Sequence, residues 1–344
     1  MRVVVLGAGS LGSLYAAWSA DAGHDVTIVG RPAHVEAVNR AGLTVRERSG
    51  GTRTVAVRGV ERAEDAPDAD VVLLASKGPD TASLLEAYSG TPSGAWSIQN
   101  GARQSEPIAA RFGSAAVGCS SMVGATLTSP GVVAHTFEGA TYVGPLPASS
   151  PQSVTAVASS LTDDARIVVR DDIDAVLWSK AVLATGAMGM SILLRLPYHH
   201  VFVEPHARAC FYDIVADASR IAAAVGVALV DLPGPLQAGS LMTAARAEAL
   251  ERLAEVGAQM VDAGQTSVRV SMLQSLESGR RLEVQAVFGD LIARADERGL
   301  EVPVLRAVHH VAVTLDQVAA RSISAASSDG DTTANLRRPM GSWA

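Results

Sequence analysis

One lysine lies in an almost wholly apolar stretch of the sequence. Residues 177–190, LWSKAVLATGAMGM, contain Lys180 and no other charged side chain. An unpaired ammonium group is costly to bury in apolar surroundings, so lysines are seldom fully buried without a partner. Two interpretations are open. Either the stem of Lys180 reaches water from the edge of a helix, or its ammonium group stands in a cleft, where it could donate a proton to a reacting oxygen.

A second pattern with chemical meaning, G-x-G-x-x-G, stands near the start of the chain. It follows the β-branched run RVVVL and precedes an apolar stripe of helical period. In a strand–turn–helix unit the first glycine permits the tight turn, the second lets a pyrophosphate approach the backbone, and the third lets the helix pack on the strand. We therefore predict a dinucleotide-binding turn. Its residues are Gly7, Ala8, Gly9, Ser10, Leu11 and Gly12.

The residues after the second predicted strand, DVTIV, indicate which dinucleotide is bound. An NAD site typically has Asp or Glu there to bind the ribose 2′-hydroxyl group, whereas this chain has Val29, Gly30 and Arg31. A guanidinium group can pair with a 2′-phosphate through two hydrogen bonds. We therefore predict NADPH/NADP+ as the cofactor, with Arg31 as the phosphate contact. The alternative is that Arg31 is a solvated loop cation.

The elements that must position these residues read as a parallel sheet in the first half of the chain. Strand-like segments alternate with helical or loop connections, as a doubly wound sheet requires. After the first two strands, the predicted segments are 70–76, 95–99 and 114–120, then GVVAH, ATYVG, a helix near 153–162, and ARIVVR. Lys77 and Asn100 follow the C-terminal ends of two strands, where open α/β sheets bind ligands.

The second half of the chain is predicted to be helical. Apolar residues recur with helical period between Cys210 and Val225, and again after Pro303. The fold class is therefore α/β, with an N-terminal Rossmann-type doubly wound sheet followed by an all-α C-terminal domain. We place the dinucleotide-binding domain at residues 1–170 and the helical substrate domain at residues 171–322. Residues 323–344 lose periodicity and are predicted to be a flexible tail.

The composition favours a soluble cytoplasmic enzyme rather than a protein that binds nucleic acid. A net charge of −7 argues against a nucleic-acid surface, because phosphate backbones normally need a basic patch. Only Cys119 and Cys210 are present, without a CxxC motif, so neither a disulfide framework nor a zinc site is expected. We predict no metal, no signal peptide and no membrane span. The sequence is compatible with a homodimer and does not fix the oligomeric state.

Motifs along nearly the whole chain, the tail excluded, resemble the ketopantoate reductase family. They are GAGSLG at the N-terminus, SK at 76–77, QNG at 99–101, GATLTSPGVVAH at 124–135, LWSK at 177–180, SMLQS at 271–275 and LEV at 282–284. The resemblance implies that Lys180 is the general acid and that Glu283 lies beside it. It also implies that Asn100 lies near the nicotinamide ribose and the substrate. The further contacts that it implies are Arg31, Lys77 and Ala125 for the cofactor and Ser271 for the substrate.

This chemistry gives a reason for an apolar site around a lysine. Hydride transfer to a carbonyl carbon builds negative charge on the oxygen, which a nearby cationic acid stabilises and then protonates. Desolvation lowers the pKa of a lysine from its ordinary value of about 10.4, which makes the ammonium a better acid. A carboxylate such as Glu283 would oppose that shift somewhat and hold the ammonium in position.

The chain departs from the family pattern where the substrate is recognised. The family typically has asparagines four and eight residues after the lysine, where this chain has Ala184 and Met188, and a further asparagine where it has Tyr198. Each lost hydrogen bond costs about 1–3 kcal/mol. Phe288 and Ser275 also replace polar residues of the family. The predicted substrate-binding residues are Asn100, Lys180, Ala184, Met188, Tyr198 and Ser271.

Three functions follow from these residues. We expect an NADPH-dependent reductase of a keto-acid-like substrate that is larger or less polar than ketopantoate. The first alternative is a genuine 2-dehydropantoate 2-reductase of pantothenate biosynthesis, which would bind its substrate through other groups. The second is a non-catalytic NADPH-binding regulatory protein, which the retention of Lys180 and Glu283 disfavours. A short-chain dehydrogenase is excluded, because no tyrosine has a lysine four residues later.

Overall fold

The chain divides into two compact units. The computed structural model describes residues 1–328, and the units are Met1–Lys180 and Ala181–Ala344. The division falls within a helix that begins at Ile173, whereas the sequence places a boundary near residue 170. That boundary stays a prediction.

The first unit contains two β-sheets and their connecting helices. Its strands are β1 (Arg2–Leu6), β2 (Asp25–Val29), β3 (Leu43–Arg46), β4 (Thr52–Val55), β5 (Arg58–Val60), β6 (Val71–Leu74), β7 (Gly94–Ser97), β8 (Ala116–Ser121), β9 (Gly124–Ser129), β10 (Val132–Phe137), β11 (Thr141–Pro145) and β12 (Ile167–Val169). Its helices are α1 (Ser10–Asp21), α2 (Pro32–Ala41), α3 (Thr81–Ala87), α4 (Glu106–Phe112), α5 (Pro151–Ala158) and the first turns of α6 (Ile173–Leu194).

The larger sheet has the predicted parallel arrangement. Its eight strands follow the order β12-β11-β8-β7-β6-β1-β2-β5. Six of them, β5, β2, β1, β6, β7 and β8, are parallel to one another. Strand β11 runs antiparallel to β8 and parallel to β12. Successive residues of β1 face opposite hydrophobic clusters: Val3 and Val5 pack with α1, and Val4 and Leu6 pack on the side of α3 and α4. Both faces are therefore covered, as a parallel sheet requires.

A second, four-stranded sheet was not predicted from the sequence. Its order is β4-β3-β10-β9. The segment GVVAH, expected as one more strand of the series, therefore lies in this smaller sheet as part of β10, whereas ATYVG belongs to the large sheet as β11. The β3–β4 hairpin turns near Gly50, which has a positive φ of 92°. Leu43 and Val45 are fully buried between half-exposed or exposed neighbours, an alternation that could have revealed the hairpin.

The second unit is helical, as predicted, and the fold class is confirmed. After α6 its helices are α7 (His200–Val203), α8 (Pro205–Ala224), α9 (Ala238–Thr243), α10 (Arg246–Asp262), α11 (Ser271–Glu277), α12 (Asp290–Glu297) and α13 (Pro303–Ser328), with a π-helical turn at Gln285–Gly289. A Cβ on Gly186 would lie 2.7 Å from side-chain atoms of Phe211 and Val215, so a glycine lets α6 approach α8 closely. Residues 329–344, most of the predicted tail, lie outside the described residues.

Helix α6 is apolar enough to meet the length and hydropathy criteria for a membrane span. It is the one such helix among the described residues, and 72% of its most apolar window is buried within the protein. The sequence predicts no membrane span, and a mostly buried core helix of a soluble protein meets the same criteria. The apolar character of α6 is thus explained by packing.

Candidate active site

The glycine turn has the geometry that the motif predicts. The amides of Gly7 and Ala8 both donate to Val29 O, at 3.1 and 2.8 Å, which ties the turn to β2. Gly7 has a positive φ of 106°, and a Cβ there would lie 2.5 Å from Ser76 N. A Cβ on Gly12 would overlap Gly7 O. The absence of a side chain here therefore lets the first turn of α1 pack closely on the turn that follows β1.

Open space lies over the middle of the turn. A Cβ on Gly9 would meet no atom within 4 Å. The amides of Ser10, Leu11 and Gly12 begin α1 and have no hydrogen-bond acceptor within residues 1–328. First-turn amides of a helix are the groups that bind phosphate in dinucleotide sites. The turn therefore fits a pyrophosphate.

The glycine turn and four further residues lie along one edge of the large sheet. Strands β1, β2, β6, β7 and β8 are parallel, so their C-terminal ends share this edge. The glycine turn follows β1, and Arg31 follows β2. Lys77 follows β6, Asn100 follows β7, and Ser121 is the last residue of β8. The structure thus brings the predicted cofactor residues of the first unit together.

Arg31 stands where a phosphate could reach it. It precedes Pro32 at the N-terminus of α2 and is exposed. Within residues 1–328 it forms no ion pair. A cation that no carboxylate neutralises is available to bind an anion.

His34 supports this corner of the site and was missed by the sequence analysis. Its Nδ1 accepts a hydrogen bond from Gly131 N at 3.0 Å, and its Nε2 lies 3.2 Å from Ser13 Oγ. Burial lowers the pKa of His34, which favours the neutral ring that this acceptor role requires. The imidazole thus joins α2 to α1 and to the β9–β10 turn. Its place on the buried face of α2, beside Val35 and Val38, was the available signal.

Gln99, the first residue of the QNG motif, has a structural role that the sequence does not predict. Its Nε2 donates to Ser76 O at 2.8 Å and to Thr81 Oγ1 at 2.6 Å. These bonds join the loop after β7, which carries Asn100, to the loop after β6, which carries Lys77. Lys77 is exposed and Asn100 is half-buried.

Ala125 lies beside the glycine turn. It is the second residue of β9, pairs with His135 and is half-buried. Two residues further on, Leu127 N donates to Ser10 Oγ at 2.9 Å. The β9 strand is therefore hydrogen-bonded to the first turn of α1.

The ammonium group of Lys180 is bound to the same edge of the sheet. Its Nζ donates to Ser121 O at 2.7 Å, and its side chain is half-buried. Its charge also acts on the buried thiol of Cys119: burial raises the pKa of that thiol, and the lysine lowers it. This contact favours the cleft interpretation of Lys180 over the surface one.

The predicted substrate residues Ala184, Met188 and Tyr198 lie in the second unit. Ala184, half-buried, and Met188, buried, follow Lys180 at helical spacing on α6. Tyr198 is half-buried and packs edge-on against Phe202, with ring centroids 4.8 Å apart. Its amide donates to Val268 O at 2.8 Å, which brings it near the start of α11.

Ser271 and Glu283 occupy helix ends in the second unit. Ser271 is the exposed first residue of α11, and Glu283 is half-buried two residues before the π-helical turn. Single π-helical turns are often found at functional sites. Phe288 lies buried within this turn. In the part of the chain that the structure describes, no group of three or more His, Cys, Asp or Glu residues is arranged to hold a metal.

Comparisons with known proteins match both units. The model described as "Ketopantoate reductase PanE/ApbA" matches residues 3–148, and its C-terminal counterpart matches residues 172–315. A 2-dehydropantoate 2-reductase of Pyrococcus abyssi is 27% identical over 308 residues, which is 88% of this chain and 94% of that protein. One of Archaeoglobus fulgidus is 28% identical over 307 residues, with 89% and 94% covered.

A solved structure has the same fold. The PanE/ApbA family ketopantoate reductase of Ralstonia eutropha JMP134 superposes with a TM-score of 0.76 at 24% identity. The match covers 93% of this chain and 100% of that one. At this sequence identity the structural similarity supports the fold only.

Proposed function

The chain belongs to the ketopantoate reductase family, and from this premise we propose that it reduces the carbonyl group of a keto-acid-like substrate with NADPH, Lys180 being the general acid. The relatives named 2-dehydropantoate 2-reductase support an oxidoreductase that acts on CH–OH and C=O groups. The observation that carries the assignment of Lys180 is the hydrogen bond from its Nζ to Ser121 O. That bond holds the ammonium at the sheet edge that also carries the glycine turn.

Ketopantoate reductases use NADPH, and the residues present fit this cofactor. The open space over Gly9 and the unpaired amides of the first turn of α1 suit the pyrophosphate. Arg31 is assigned to the 2′-phosphate, because a guanidinium can form two parallel hydrogen bonds with it. Lys77, Asn100 and Ala125 are assigned to the remaining cofactor contacts, since all three lie at the same sheet edge or beside the turn.

The reaction needs one proton donor from the protein. When bound, NADPH supplies the hydride that reduces the carbonyl carbon. Lys180 stabilises the negative charge that grows on the carbonyl oxygen and then donates a proton to it. The neutral amine that remains can still donate a hydrogen bond to Ser121 O, so the side chain keeps its place until it is protonated again.

Glu283 is assigned as the carboxylate partner of the lysine. A carboxylate orients an ammonium through charge-assisted hydrogen bonds, and it stabilises the charged acid before the reaction. The half-buried side chain of Glu283 and its place beside a π-helical turn support a functional role. Ser271 and Tyr198 are assigned to the substrate.

The substrate is proposed to be larger or less polar than ketopantoate. Beyond Lys180, the same face of α6 continues with Ala184 and Met188, which offer no hydrogen bond to a hydroxyl or carboxylate group. Burial raises the pKa of Tyr198, so its phenol stays neutral. It can offer the substrate a hydrogen bond but no charge. An apolar face favours a substrate with an alkyl or aryl group there.

A genuine 2-dehydropantoate 2-reductase is the second candidate. It is favoured by the names of the relatives, which match this chain over nearly their whole length. In that case Tyr198, Ser271 or other polar groups would bind the hydroxyl and carboxylate groups of ketopantoate.

A substrate panel distinguishes these two candidates. NADPH oxidation is measured with ketopantoate and with 2-oxo acids that carry an alkyl or phenyl group instead. We expect a higher kcat/KM for an apolar 2-oxo acid, and we expect Ala184→Asn with Met188→Asn to shift the ratio toward ketopantoate by about 10-fold or more. Leu193→Asn is the control, because it adds an asparagine at an exposed position of the same helix. If ketopantoate is the best substrate of the unaltered enzyme, the second candidate is correct.

A further inference from the structure

A buried hydroxyl network lies directly behind the acceptor of the lysine. Tyr15 donates from its hydroxyl to Ser121 Oγ at 2.8 Å, and the same hydroxyl lies 2.6 Å from Thr141 Oγ1. Val123 N also donates to Ser121 Oγ, at 3.2 Å. Tyr15 and Thr141 are fully buried, and Ser121 is nearly so. The backbone oxygen of Ser121 is the atom that accepts the hydrogen bond from Lys180.

We propose that Tyr15 is a positioning residue for Lys180: by holding the Ser121 side chain, it fixes the direction of the Ser121 carbonyl that binds the lysine ammonium. The proposal rests on the proposed function of Lys180 as general acid. Tyr15 donates its hydroxyl hydrogen bond to the Ser121 side chain. It acts through Ser121.

The tyrosine is itself held rigidly. Its ring packs edge-on against Trp18 and Trp96, with centroid distances of 5.1 and 5.4 Å. Burial raises the pKa of Tyr15 well above its ordinary value, so the phenol keeps the proton that it donates. Because Ser121 and Thr141 are direct partners across β8 and β11, the hydroxyl of Tyr15 joins the two strands at the point where β8 ends.

The network links the acid to the cofactor turn through one helix. Tyr15 lies on α1, whose first turn carries the amides assigned to the pyrophosphate. The same turn is bonded to β9 through Ser10 and Leu127. The chain from β8 to β9 is therefore attached to α1 on both sides of the Ser121 carbonyl. Placement of the proton donor and placement of the cofactor phosphates thus depend on the same helix.

The test compares two variants that each remove a hydroxyl from this cluster. Tyr15→Phe removes the hydrogen bond to Ser121 and keeps the ring. Thr141→Val removes the other partner of the same hydroxyl and keeps the bond from Tyr15 to Ser121. A merely structural role predicts that both variants lower the melting temperature and behave alike otherwise. A positioning role predicts that only Tyr15→Phe disturbs Lys180.

The first readout needs no substrate. Lys77 and Lys180 are the only lysines of the chain, so labelling lysine with 15N at Nζ gives two side-chain signals, assigned with Lys77→Arg. A carbonyl oxygen stabilises the ammonium more than the neutral amine. We therefore expect the titration midpoint of the Lys180 signal to fall by about half a pH unit or more in Tyr15→Phe. Thr141→Val should leave it unchanged, and Lys77 serves as the internal reference.

The second readout is turnover with the best substrate of the panel. We expect Tyr15→Phe to lower kcat about 10-fold, because a displaced acid loses part of its effect, and to move the high-pH limb of the kcat profile to lower pH. The Kd for NADPH should stay within about twofold of the unaltered value. Ser121→Ala, which removes the acceptor of the Tyr15 hydrogen bond, should reproduce these changes and is judged by the same criteria if Tyr15→Phe does not fold.

The outcomes separate this proposal from the function on which it rests. If Lys180→Ala loses turnover while Tyr15→Phe and Ser121→Ala match Thr141→Val in both readouts, positioning by Tyr15 is overturned and the general acid stands. If Lys180→Ala keeps normal turnover, the general acid is wrong and the positioning role falls with it. A lowered Lys180 midpoint together with reduced kcat, in Tyr15→Phe but not in Thr141→Val, supports the proposal.

Discussion

Arginine supplies nearly all the positive charge of this chain. Of its 28 lysine and arginine residues, only Lys77 and Lys180 are lysines, and both lie at the sheet edge assigned to the reaction. Arginine stays protonated under all ordinary conditions, whereas lysine can release a proton when its surroundings lower its pKa. The use of a lysine at position 180, in a chain that otherwise uses arginine almost throughout, therefore fits the proposed role of this residue as proton donor.

Arg31 is assigned the opposite task, because a phosphate contact is best made by a permanent charge. We predict that Arg31→Ala raises the KM for NADPH about 10- to 100-fold, since a hydrogen bond to a charged group contributes about 1.5–3 kcal/mol. The KM for NADH should change by no more than about twofold, because NADH has no 2′-phosphate. Steady-state kinetics with both cofactors measure this.

The control for this prediction is Arg40, an arginine within α2. Arg40 is exposed and pairs only with Glu36, at 3.6 Å, within the described part of the chain. Arg40→Ala should leave both KM values unchanged. Equal use of NADPH and NADH by the unaltered enzyme would refute the assignment of Arg31.

At the scale of elements, the sequence predicts best what is local. The strand Arg2–Leu6, the glycine turn and the strand DVTIV agree with β1, the start of α1 and β2, because each depends on neighbouring residues only. The second sheet pairs β3 with β10, strands far apart in the chain. Such pairing leaves little local trace in half-exposed strands.

The same reasoning explains which candidate site residues the sequence could suggest. The glycines, Arg31 and Lys180 stand out because their residue types are rare or unusual at their positions, and their assigned roles stay predictions. The acceptor of Lys180 is a backbone carbonyl, which any residue could supply, so no sequence pattern marks Ser121. The bond that holds Ser121 comes from Tyr15, more than 100 residues earlier in the chain, and such a contact becomes visible only in the folded chain.

The glycine turn allows a contrast between two substitutions within one element. Gly12→Ala places a Cβ against Gly7 O and 3.0 Å from Ala75 Cβ, so α1 must shift, at a cost of about 1–3 kcal/mol of unfolding free energy. Gly9→Ala places a Cβ in open space, and its φ of −80° suits any residue. We predict that Gly9→Ala keeps the melting temperature but weakens NADPH binding about 10-fold or more, because the methyl group blocks the pyrophosphate.

Thermal melting and fluorescence titration with NADPH measure the two effects separately. The unaltered protein and Gly12→Ala serve as references for stability. Should Gly9→Ala bind NADPH normally, the pyrophosphate does not lie over this turn.

At the scale of the whole molecule, the chain is acidic although its proposed ligands are anions. With a net charge of −7, its overall field does not attract NADPH or a keto acid, so local groups must do so. The groups assigned to this task are the first-turn amides of α1, Arg31, Lys77 and Lys180. Lys180 is also the last residue of the first unit, and its helix continues with Ala184 and Met188. One helix therefore carries the residue proposed as proton donor and the residues assigned to substrate choice.

The central claim is that Lys180 donates the proton, and one comparison tests it most directly. The kcat of Lys180→Ala is measured with the best substrate of the panel, beside its Kd for NADPH. A positioned general acid contributes about 10²- to 10⁴-fold, so we predict a loss of that size in kcat, with the Kd within about threefold, because the glycine turn, Arg31 and Lys77 are unaltered. Near-normal kcat with intact NADPH binding would contradict the account.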